Sequence, residues 1–332
     1  TSAKIPNTAT VLYNKQNATG DPKEITTPPV TVTPPPSAPT KKINGNLDDL
    51  VIPSAEENAY TYNIKAKLPG NIENYTQWGF KDTLDNRLEL QPGQSAHIEG
   101  PNADKFTVTY DAATNTVTAE VKAGQFANLT AGQEIELVIP AKVKDGVTDK
   151  KIPNQATVYY NNPADGGVTR ETPPTPPVTV TPPPTTPDIS KTVNDVEHYQ
   201  LATPEEAFTY KIDTKVPFNA TAFKITDELK DVLEFVGTAT ATVDGHQIAA
   251  SQITVSGKTL TVTLNEQELK DYQDKPVHVE FQAKIVDGAN LEAYRTAEDG
   301  TEKVPNTAKF QINDNPKLEK ETKPVTVTPP PS

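Results

Sequence analysis

Three reactive side-chain types recur in the same order at two places in this chain of 332 residues. In each place a lysine amine comes first, an aspartate carboxyl stands in the middle and an asparagine carboxamide comes last. The two sets are Lys41, Asp82 and Asn154, and Lys191, Asp227 and Asn306. A neutral amine is a nucleophile and a protonated carboxyl is a hydrogen-bond donor, so each set could do acyl chemistry if folding brings it together. The alternative is that all six are ordinary surface, turn or cap residues.

The segments around these residues repeat as well, which predicts a domain array. The segment PVTVTPPP occurs three times, starting at Pro29, Pro177 and Pro324. A period of about 150 residues is too long for a solenoid repeat. A second motif precedes each copy, as IPNTATV, IPNQATV and VPNTAKF. We therefore expect residues 1–36 to hold the last strands of one repeat and its linker, with complete repeats at 37–184 and 185–332.

Within each repeat the shared segments have the period of half-buried strands. Apolar and polar residues alternate from Phe208 to Val216, and residues 253–264 form a predicted hairpin. The one helical pattern covers Asn265–Tyr272. Many short strands with regular turn signals predict an all-β chain of tandem immunoglobulin-like antiparallel β-sandwiches. In a sandwich the first and last strands can lie side by side, which would bring the Lys and the Asn together in the core.

The proline-rich segment has two parts. Val30 and Val32 alternate with Thr, and Pro29 and Pro34 bound them, as expected of an edge strand. The three prolines that follow favour polyproline II, which is a semi-rigid spacer. We therefore expect linkers that hold neighbouring repeats apart and roughly in line.

On these motifs the chain resembles the isopeptide-forming pilin and fibrillar-adhesin domains of Gram-positive bacteria, which are Cna-type sandwiches. The resemblance covers both complete repeats and the leading fragment, where Asn7 stands in the motif without a Lys or Asp of its own. It implies bonds between the Lys and the Asn of each set, with the Asp promoting the reaction. These are Lys41–Asn154 with Asp82, and Lys191–Asn306 with Asp227. The array also looks like the stalk of wall-anchored adhesins such as aggregation substance or antigen I/II.

The implied chemistry accounts for the residue types. An amine attacks only when it is neutral, and burial lowers the pKa of a lysine. A carboxyl that the same apolar setting keeps protonated can polarise the amide carbonyl by a hydrogen bond, and ammonia leaves. Lys42 is an alternative nucleophile in the first repeat. Alternation places Lys41 on the same face as Ile43, as Lys191 is with Val193, and this favours Lys41.

Composition argues against several other classes of protein. The net charge of −13 repels nucleic acid phosphates and anionic lipid. The lack of Cys excludes disulfides and thiolate metal sites, and no run of 18 apolar residues predicts a membrane span. The histidines fall outside catalytic motifs and do not recur in register; they are His97, His198, His246 and His278. We expect no enzyme activity towards another substrate and no cofactor.

Two binding hypotheses remain open. The run Asn313-Asp314-Asn315-Pro316 and the pair Asp48-Asp49 could hold calcium at the repeat seams. A strand-end turn also explains them, and we predict no metal. Trp78, the single Trp, could contact a host protein or glycan, although Trp is more often a core residue.

We therefore expect a stalk or spacer from an extracellular, cell-wall-anchored adhesin or fibre. Its partners would be the neighbouring repeats of the same chain, and a host or partner-cell ligand would be bound through another domain. The alternative is that the repeats themselves bind such a ligand. The chain starts in the middle of a repeat pattern at Thr1, as an excised piece of a longer protein would.

Overall fold

Residues 4–32 and 34–331 are described by a computed structural model, and they contain two compact units. The first unit comprises residues 1–51, 58–147 and 151–181, and the second comprises 52–57, 148–150 and 182–332. Residues 4–32, here called the leading segment, hold four exposed strands. They are β1 (Ile5–Asn7), β2 (Thr10–Tyr13), β3 (Lys23–Thr26) and β4 (Val30–Val32). Strand β1 pairs with β4, and β2 pairs with β3, so these are two ladders of two strands each.

The rest of the first unit is built from strands. They are β5 (Thr40–Ile43), β6 (Asp49–Val51), β7 (Tyr60–Lys67), β8 (Gln77–Thr83), β9 (Leu88–Leu90), β10 (His97–Glu99), β11 (Phe106–Asp111), β12 (Thr116–Val121), β13 (Glu134–Val143), β14 (Ile152–Asn154), β15 (Thr157–Asn161), β16 (Arg170–Glu171) and β17 (Val178–Thr181). One sheet has the order β10-β13-β7-β5, with β9 also on β13, and the other has the order β11-β12-β8-β15-β16. A small third sheet has the order β14-β17-β6.

The second unit repeats this layout. Its strands are β18 (Ser190–Val193), β19 (His198–Gln200), β20 (Phe208–Lys215), β21 (Phe223–Glu228), β22 (Leu233–Val243), β23 (His246–Gln247), β24 (Ile253–Ser256), β25 (Thr259–Leu264), β26 (Pro276–Ile285), β27 (Val304–Asn306), β28 (Ala308–Ile312), β29 (Glu319–Glu321) and β30 (Val325–Thr328). The sheet orders are β18-β20-β26-β22-β23, β24-β25-β21-β28-β29 and β19-β30-β27. Strand β22 takes the place of β9 and β10, with an irregularity in register between Val236 and Thr240.

Helix is confined to short pieces of the described chain. The α-helix α1 (Glu266–Asp271) begins at a capping box, in which Asn265 and Glu268 hydrogen-bond to each other's backbone N–H groups. This confirms the predicted helical turn. Single 3₁₀ turns occur at Ala55–Glu57, Ile72–Asn74, Ala103–Lys105, Phe126–Asn128, Pro163–Asp165, Ala250–Gln252 and Glu292–Tyr294. Within the described residues no helix has the length and apolar character needed to cross a bilayer.

The strand pattern confirms the prediction of tandem immunoglobulin-like sandwiches. Strands β7 and β20 bury every second residue, so their alternating apolar side chains form one wall of a core. The hairpin of β24 and β25 is present as predicted, with Ser256 opposite Thr259. Trp78 is fully buried and stacks edge-on against Phe80, so it is a core residue and not an exposed contact.

The predicted edge strand was wrong for the complete units. Strand β17 lies between β14, with which it is antiparallel, and β6, with which it is parallel. Strand β30 lies in the same way between β27 and β19. The prolines of each PVTVTPPP segment flank the ladder, so the residues inside the strand can hydrogen-bond on both edges. The last strand of each unit is therefore internal to a small sheet that joins the two ends of the unit.

Gly79 is required by close packing in the first unit. Its backbone lies under the Tyr159 ring, and the Tyr159 hydroxyl donates to Glu120 at 2.9 Å. A Cβ at Gly79 would lie 2.6 Å from the Ala119 carbonyl oxygen and 2.9 Å from the Tyr159 ring. The matching position in the second unit is Lys224, where Gln311 replaces the tyrosine.

We predict that Gly79→Ala destabilises the first unit by about 1–3 kcal/mol, because a backbone oxygen and a packed ring must both move. Thermal unfolding of the two units would show it as an earlier transition of the first unit alone. Lys224→Ala is the matched control and should leave both transitions in place. A Gly79→Ala protein with unchanged unfolding would contradict the packing argument.

Candidate functional site

Lys41 reaches the core from β5 because the strand alternates. Lys41 and Ile43 face inwards, while Lys42 faces outwards between them. Lys41 is 4% exposed, and its Nζ contacts the Asp82 carboxylate. The Lys42 side chain is 44% exposed and pairs with Asp48 at 2.7 Å. The structure therefore places Lys41 beside the acid and leaves Lys42 at the surface.

Asp82 and Asn154 come from the other two sheets of the first unit. Asp82 lies near the end of β8 and is fully buried, and Asn154 ends β14 and is 4% exposed. The Asn154 Nδ2 donates to Asp82 Oδ1 at 2.7 Å, while Asp82 Oδ2 accepts from Lys41. One carboxylate thus joins the amine and the carboxamide, and the three residues predicted from the sequence meet at one point.

The second unit brings its own three residues together from matching strands. Lys191 on β18 contacts Asp227 on β21, and Asn306 ends β27; all three are buried. The Asn306 Nδ2 donates to the backbone oxygen of Glu228 at 3.4 Å. Asp227 Oδ1 and Asn306 Oδ1 are both buried, and neither has a hydrogen-bond partner among the described residues.

The first and last strands of each unit lie close together, as expected, but they are not hydrogen-bonded to each other. The lysine strand β5 hydrogen-bonds to β7, and the asparagine strand β14 hydrogen-bonds to β17 in a different sheet. The amine and the carboxamide therefore meet across the core. The asparagine lies on β14, which is a hydrogen-bonded neighbour of the last strand β17.

Burial is the largest cause of the pKa shifts in both sites. Loss of solvent lowers the pKa of Lys41, and the charge and hydrogen bond of Asp82 offset this only in part. Burial lowers the pKa of Lys191 in the same way. It raises the pKa of Asp227, against the smaller opposing effects of Lys191 and of the nearby Asn306 amide. In the second unit both shifts favour the neutral forms of the amine and of the acid.

At least one aromatic ring lies against each amine, and the sequence patterns did not single these rings out. The Lys41 Nζ lies 4.2 Å from the ring centre of Tyr62, whose hydroxyl is 3.2 Å from that of Tyr60. Lys191 Nζ lies 4.3 Å from the ring of Tyr210 and 4.9 Å from that of Phe281. Tyr62 and Tyr210 occupy the same position of the repeated segments AYTYNIK and AFTYKID. This repetition was the sequence feature that could have identified them as part of the sites.

Two hydrogen bonds between an alanine and a threonine, here called the threonine clamp, hold the chain just after each asparagine. The Ala308 N–H donates to Thr322 Oγ1 at 3.0 Å, and the Thr322 N–H donates to the Ala308 carbonyl at 2.8 Å. Ala156 and Thr175 make the same two bonds in the first unit. The clamp fixes the chain two residues after the asparagine. Each threonine stands three residues before the first Val of a PVTVT segment, a repeated position that the sequence reasoning did not use.

Other sequence candidates do not join these sites. Asn313 Oδ1 caps a turn by accepting from the Thr221 N–H at 2.7 Å, and Asp48 pairs with Lys42. Across the described residues no cluster of three or more His, Cys, Asp or Glu could hold a metal ion. The histidines make contacts outside the two sites: His97 with Glu99, His198 with Thr326, His246 with Tyr272 and His278 with Asp213 and Glu280.

Comparison with known proteins gives two sequence relationships. The family described as Cell surface antigen I/II C2 terminal domain matches residues 37–169. The chain is also similar to Platelet adherence protein A of Streptococcus gordonii, at 41% identity over 336 residues. That alignment covers 100% of this chain and 9% of the relative, so the chain spans only a small part of that protein.

Two solved structures also align with this chain. The C-terminal domain of the Streptococcus agalactiae AgI/II polypeptide BspA aligns with a TM-score of 0.42 and 16% identity, over 87% of this chain and 99% of that chain. The major pilin subunit BcpA of Bacillus cereus aligns with a TM-score of 0.40 and 19% identity, over 88% of this chain and 69% of that chain.

We predict that Thr322→Val destabilises the second unit by about 1–3 kcal/mol, because the buried Ala308 N–H loses its acceptor. Thermal unfolding would show an earlier transition of that unit. Thr254→Val, on the exposed face of β24, is the control and should have little effect. Equal effects of the two substitutions would show that the clamp contributes nothing specific.

Proposed function

We propose that this chain is a structural spacer of a bacterial surface adhesin or fibre, and the match of residues 37–169 to the Cell surface antigen I/II C2 terminal domain family supports this proposal. Each unit is closed by an isopeptide bond that it forms itself, Lys41–Asn154 in the first and Lys191–Asn306 in the second. The observation that carries the proposal is the burial of an amine, a carboxyl and a carboxamide together in both units.

The reaction needs one internal proton transfer before the attack. Lys191 gives a proton to Asp227, which leaves a neutral amine and a carboxylic acid. The direction of both pKa shifts favours this exchange. The amine then attacks the Asn306 Cγ, the new C–N bond forms, the Cγ–Nδ2 bond breaks and the nitrogen leaves as ammonia. The product is a neutral amide, and the acid regains its proton for a hydrogen bond.

The orientation of the carboxamide decides whether the protonated acid can donate a hydrogen bond to the amide oxygen. In the second unit the acid oxygen Oδ1 and the amide oxygen Oδ1 both lack a donor. A proton on Asp227 would supply that donor and polarise the carbonyl. In the first unit the Asn154 Nδ2 donates to Asp82 Oδ1. There the carboxamide must turn over before the protonated acid can donate to its oxygen.

The bond would act as a long-range staple. It joins residues more than 100 positions apart, for which chain-entropy models give a stabilisation of about 4–5 kcal/mol. It also links β5 directly to β14, which is paired with the last strand β17. Tension applied to the ends of a unit would then pass through a covalent bond and would not have to be carried by hydrogen bonds alone.

The proposed setting is the outside of a Gram-positive cell, in a wall-anchored protein. The spacer would project a binding domain that lies elsewhere in the protein. The alternative, that the units bind a host ligand themselves, gains no support from Trp78, which is buried. The large exposed apolar residues of the two sandwiches stand on separate strands and loops: Val51, Tyr110, Val168, Val196 and Val255. We therefore keep the spacer as the single proposal.

The first prediction from this proposal is a mass deficit. The intact protein should be lighter than its sequence by two molecules of ammonia. Asp227→Ala should restore one of them, because the Lys191 proton then has no acceptor and the Asn306 carbonyl has no acid. Lys191→Met should restore the same one, because it removes the nucleophile while keeping an apolar side chain in place.

The matched control is Asp231→Ala, an exposed acid on the loop after β21, which should keep both losses. Peptide mapping after digestion should find the joined peptides that contain Lys191 and Asn306. A wild-type protein at its full sequence mass would remove the cross-link from the proposal. An Asp227→Ala protein that still loses two ammonia would show that Asp227 is not the promoting acid.

A second prediction concerns pH. The reactive state of the second unit holds one proton on the Lys191–Asp227 pair. An added proton at low pH keeps the amine as ammonium, and a lost proton at high pH removes the acid donor. Bond formation should therefore be fastest at intermediate pH. Both limbs should lie between the ordinary pKa of Asp and that of Lys, because burial raises the Asp227 pKa and lowers the Lys191 pKa.

The measurement would start from protein recovered unfolded and unreacted. It would be refolded at a series of pH values, quenched at set times and digested, and the Lys191–Asn306 cross-linked peptide would be quantified by mass spectrometry. A rate that rises steadily to alkaline pH would mean that deprotonation of the amine alone limits the reaction. That result would contradict a role for protonated Asp227.

A further inference from the structure

One sheet of the second unit carries a histidine between two carboxylates on its outer face. His278 lies on β26 between two buried residues, so its side chain points away from the core. It is paired directly with Asp213 on β20. The distance from His278 Nδ1 to Asp213 Oδ1 is 2.7 Å, and the distance from Nε2 to Glu280 Oε1 is also 2.7 Å. Both ring nitrogens are therefore at hydrogen-bond distance from a carboxylate.

The protonated ring is the form that satisfies both contacts. A neutral imidazole has one N–H donor and one nitrogen that accepts, and an ionised carboxylate can only accept. One of the two carboxylates would then face a lone pair. The imidazolium donates from both nitrogens and places a positive charge between the two negative ones. The arrangement of His278, Asp213 and Glu280 thus fits the charged form of the histidine.

Lys211 extends this cluster into an alternating pattern of charge. It lies on β20 opposite Glu280 and two residues from Asp213. Its Nζ also contacts Asp195 at 2.9 Å. When His278 is protonated, a positive group faces a negative one across β20 and β26 at both positions. Cross-strand pairs of opposite charge stabilise a sheet, so the protonated cluster favours the pairing of these two strands.

The remaining neighbours on this face are a lysine with its own partner and two threonines. Lys215, at the end of β20, lies 3.9 Å from Asp274. On the other side of β26, strand β22 presents Thr240 and Thr242, whose side chains carry no charge. The ion pair that joins β20 to β26 at this point therefore depends on the protonation of His278.

The first unit fills the same two positions with a pair of another kind. Lys65 occupies the position of Asp213 in the repeated segment of β7. Its strand partner Glu136 occupies the position of His278 on β13. The charged atoms of this pair are 3.6 Å apart. Lysine and glutamate side chains titrate far from neutral pH, whereas histidine titrates near it, so the two units differ in which of these pairs a proton can control.

We infer that His278 is a proton-controlled tie between β20 and β26, which strengthens the second unit as the solution becomes acidic. The tie lies on the back of the wall that packs against Lys191, because Tyr210 on β20 and Phe281 on β26 contact that amine. One proton at the surface thus changes how firmly this wall is held. The inference goes beyond the spacer role and does not depend on the cross-link.

The sign of the effect follows from the histidine's surroundings. Burial lowers the pKa of His278, but the hydrogen bonds and charges of Asp213 and Glu280 raise it by more, so this pKa lies above the ordinary value. The folded state then binds the proton more tightly than the unfolded chain does. The added stability is fully present below about pH 6.5, the ordinary histidine value, and is lost as the pH rises through the higher folded value.

The direct test is an NMR titration of the histidine ring signals of the full chain, from about pH 5 to about pH 9. His278→Gln assigns the signal by removing it. The midpoint of His278 should lie above the ordinary value, and Asp213→Asn should lower it, because one of the two carboxylates is then neutral. A midpoint at or below the ordinary value, or one that Asp213→Asn does not move, would overturn the inference.

Thermal unfolding over the same pH range tests the effect on stability. Relative to His278→Gln, the wild-type second unit should lose about 1–4 °C of its unfolding temperature on going from acid to alkaline pH. The first unit should show no such difference between the two proteins. The matched control is His246→Gln, an exposed histidine of the same unit that stacks on Tyr272, and it should keep the wild-type pH profile.

Identical pH profiles for the wild type and His278→Gln would remove the tie. The outcome is separate from that of the spacer proposal, because His278→Gln should still show both ammonia losses. A chain without ammonia losses in which the second unit weakens with rising pH would keep the tie and remove the cross-link.

Discussion

The burial of a lysine amine against an aspartate inside an apolar core is the constraint on which each unit depends. Taking both charges out of water costs several kcal/mol, and removing one partner would strand the other. Lys41 and Asp82 have no exposed side-chain surface, so the pair has no water to relieve that penalty. In the proposed reaction, conversion of the amine into an amide would leave a neutral group in place of the ammonium. The proposed reaction would remove this unfavourable pair of charges, and that relief would contribute to its driving force.

The fold has to deliver three side chains from three sheets to satisfy this constraint. Lys41 comes from β5, Asp82 from β8 and Asn154 from β14, and each strand has a different hydrogen-bonded neighbour. No pair of sheets alone would assemble the site. The third sheet is built from short strands, and the parallel pairing of β17 with β6 ties it to the start of the unit. The threonine clamp then fixes the point at which the chain leaves this sheet for β15.

The sequence alone predicted many of the strands and the candidate site residues, because local alternation and internal repeats can be recognised in a single sequence. Period-2 alternation predicted β20, and the register of the repeats singled out Lys41, Asp82 and Asn154 before any contact was known. Strand partners were not visible, because hydrogen bonding between β17 and β6 depends on the path of more than 100 intervening residues. For that reason the expectation of an edge strand was wrong. The rings around the amines were also missed, because a Tyr in a strand is an ordinary core residue until its neighbour is known.

The two sites differ in the aromatic rings that lie beside the amine. The first unit places Lys41 over Tyr62, backed by a second tyrosine hydroxyl. The second places Lys191 between Tyr210 and Phe281, and the strand position of Phe281 corresponds to Ile139 in the first unit. A second ring therefore lies beside the amine in one unit only, while burial of the amine is common to both units. The two sites share a desolvated amine in contact with one buried acid, although the core residues around them differ.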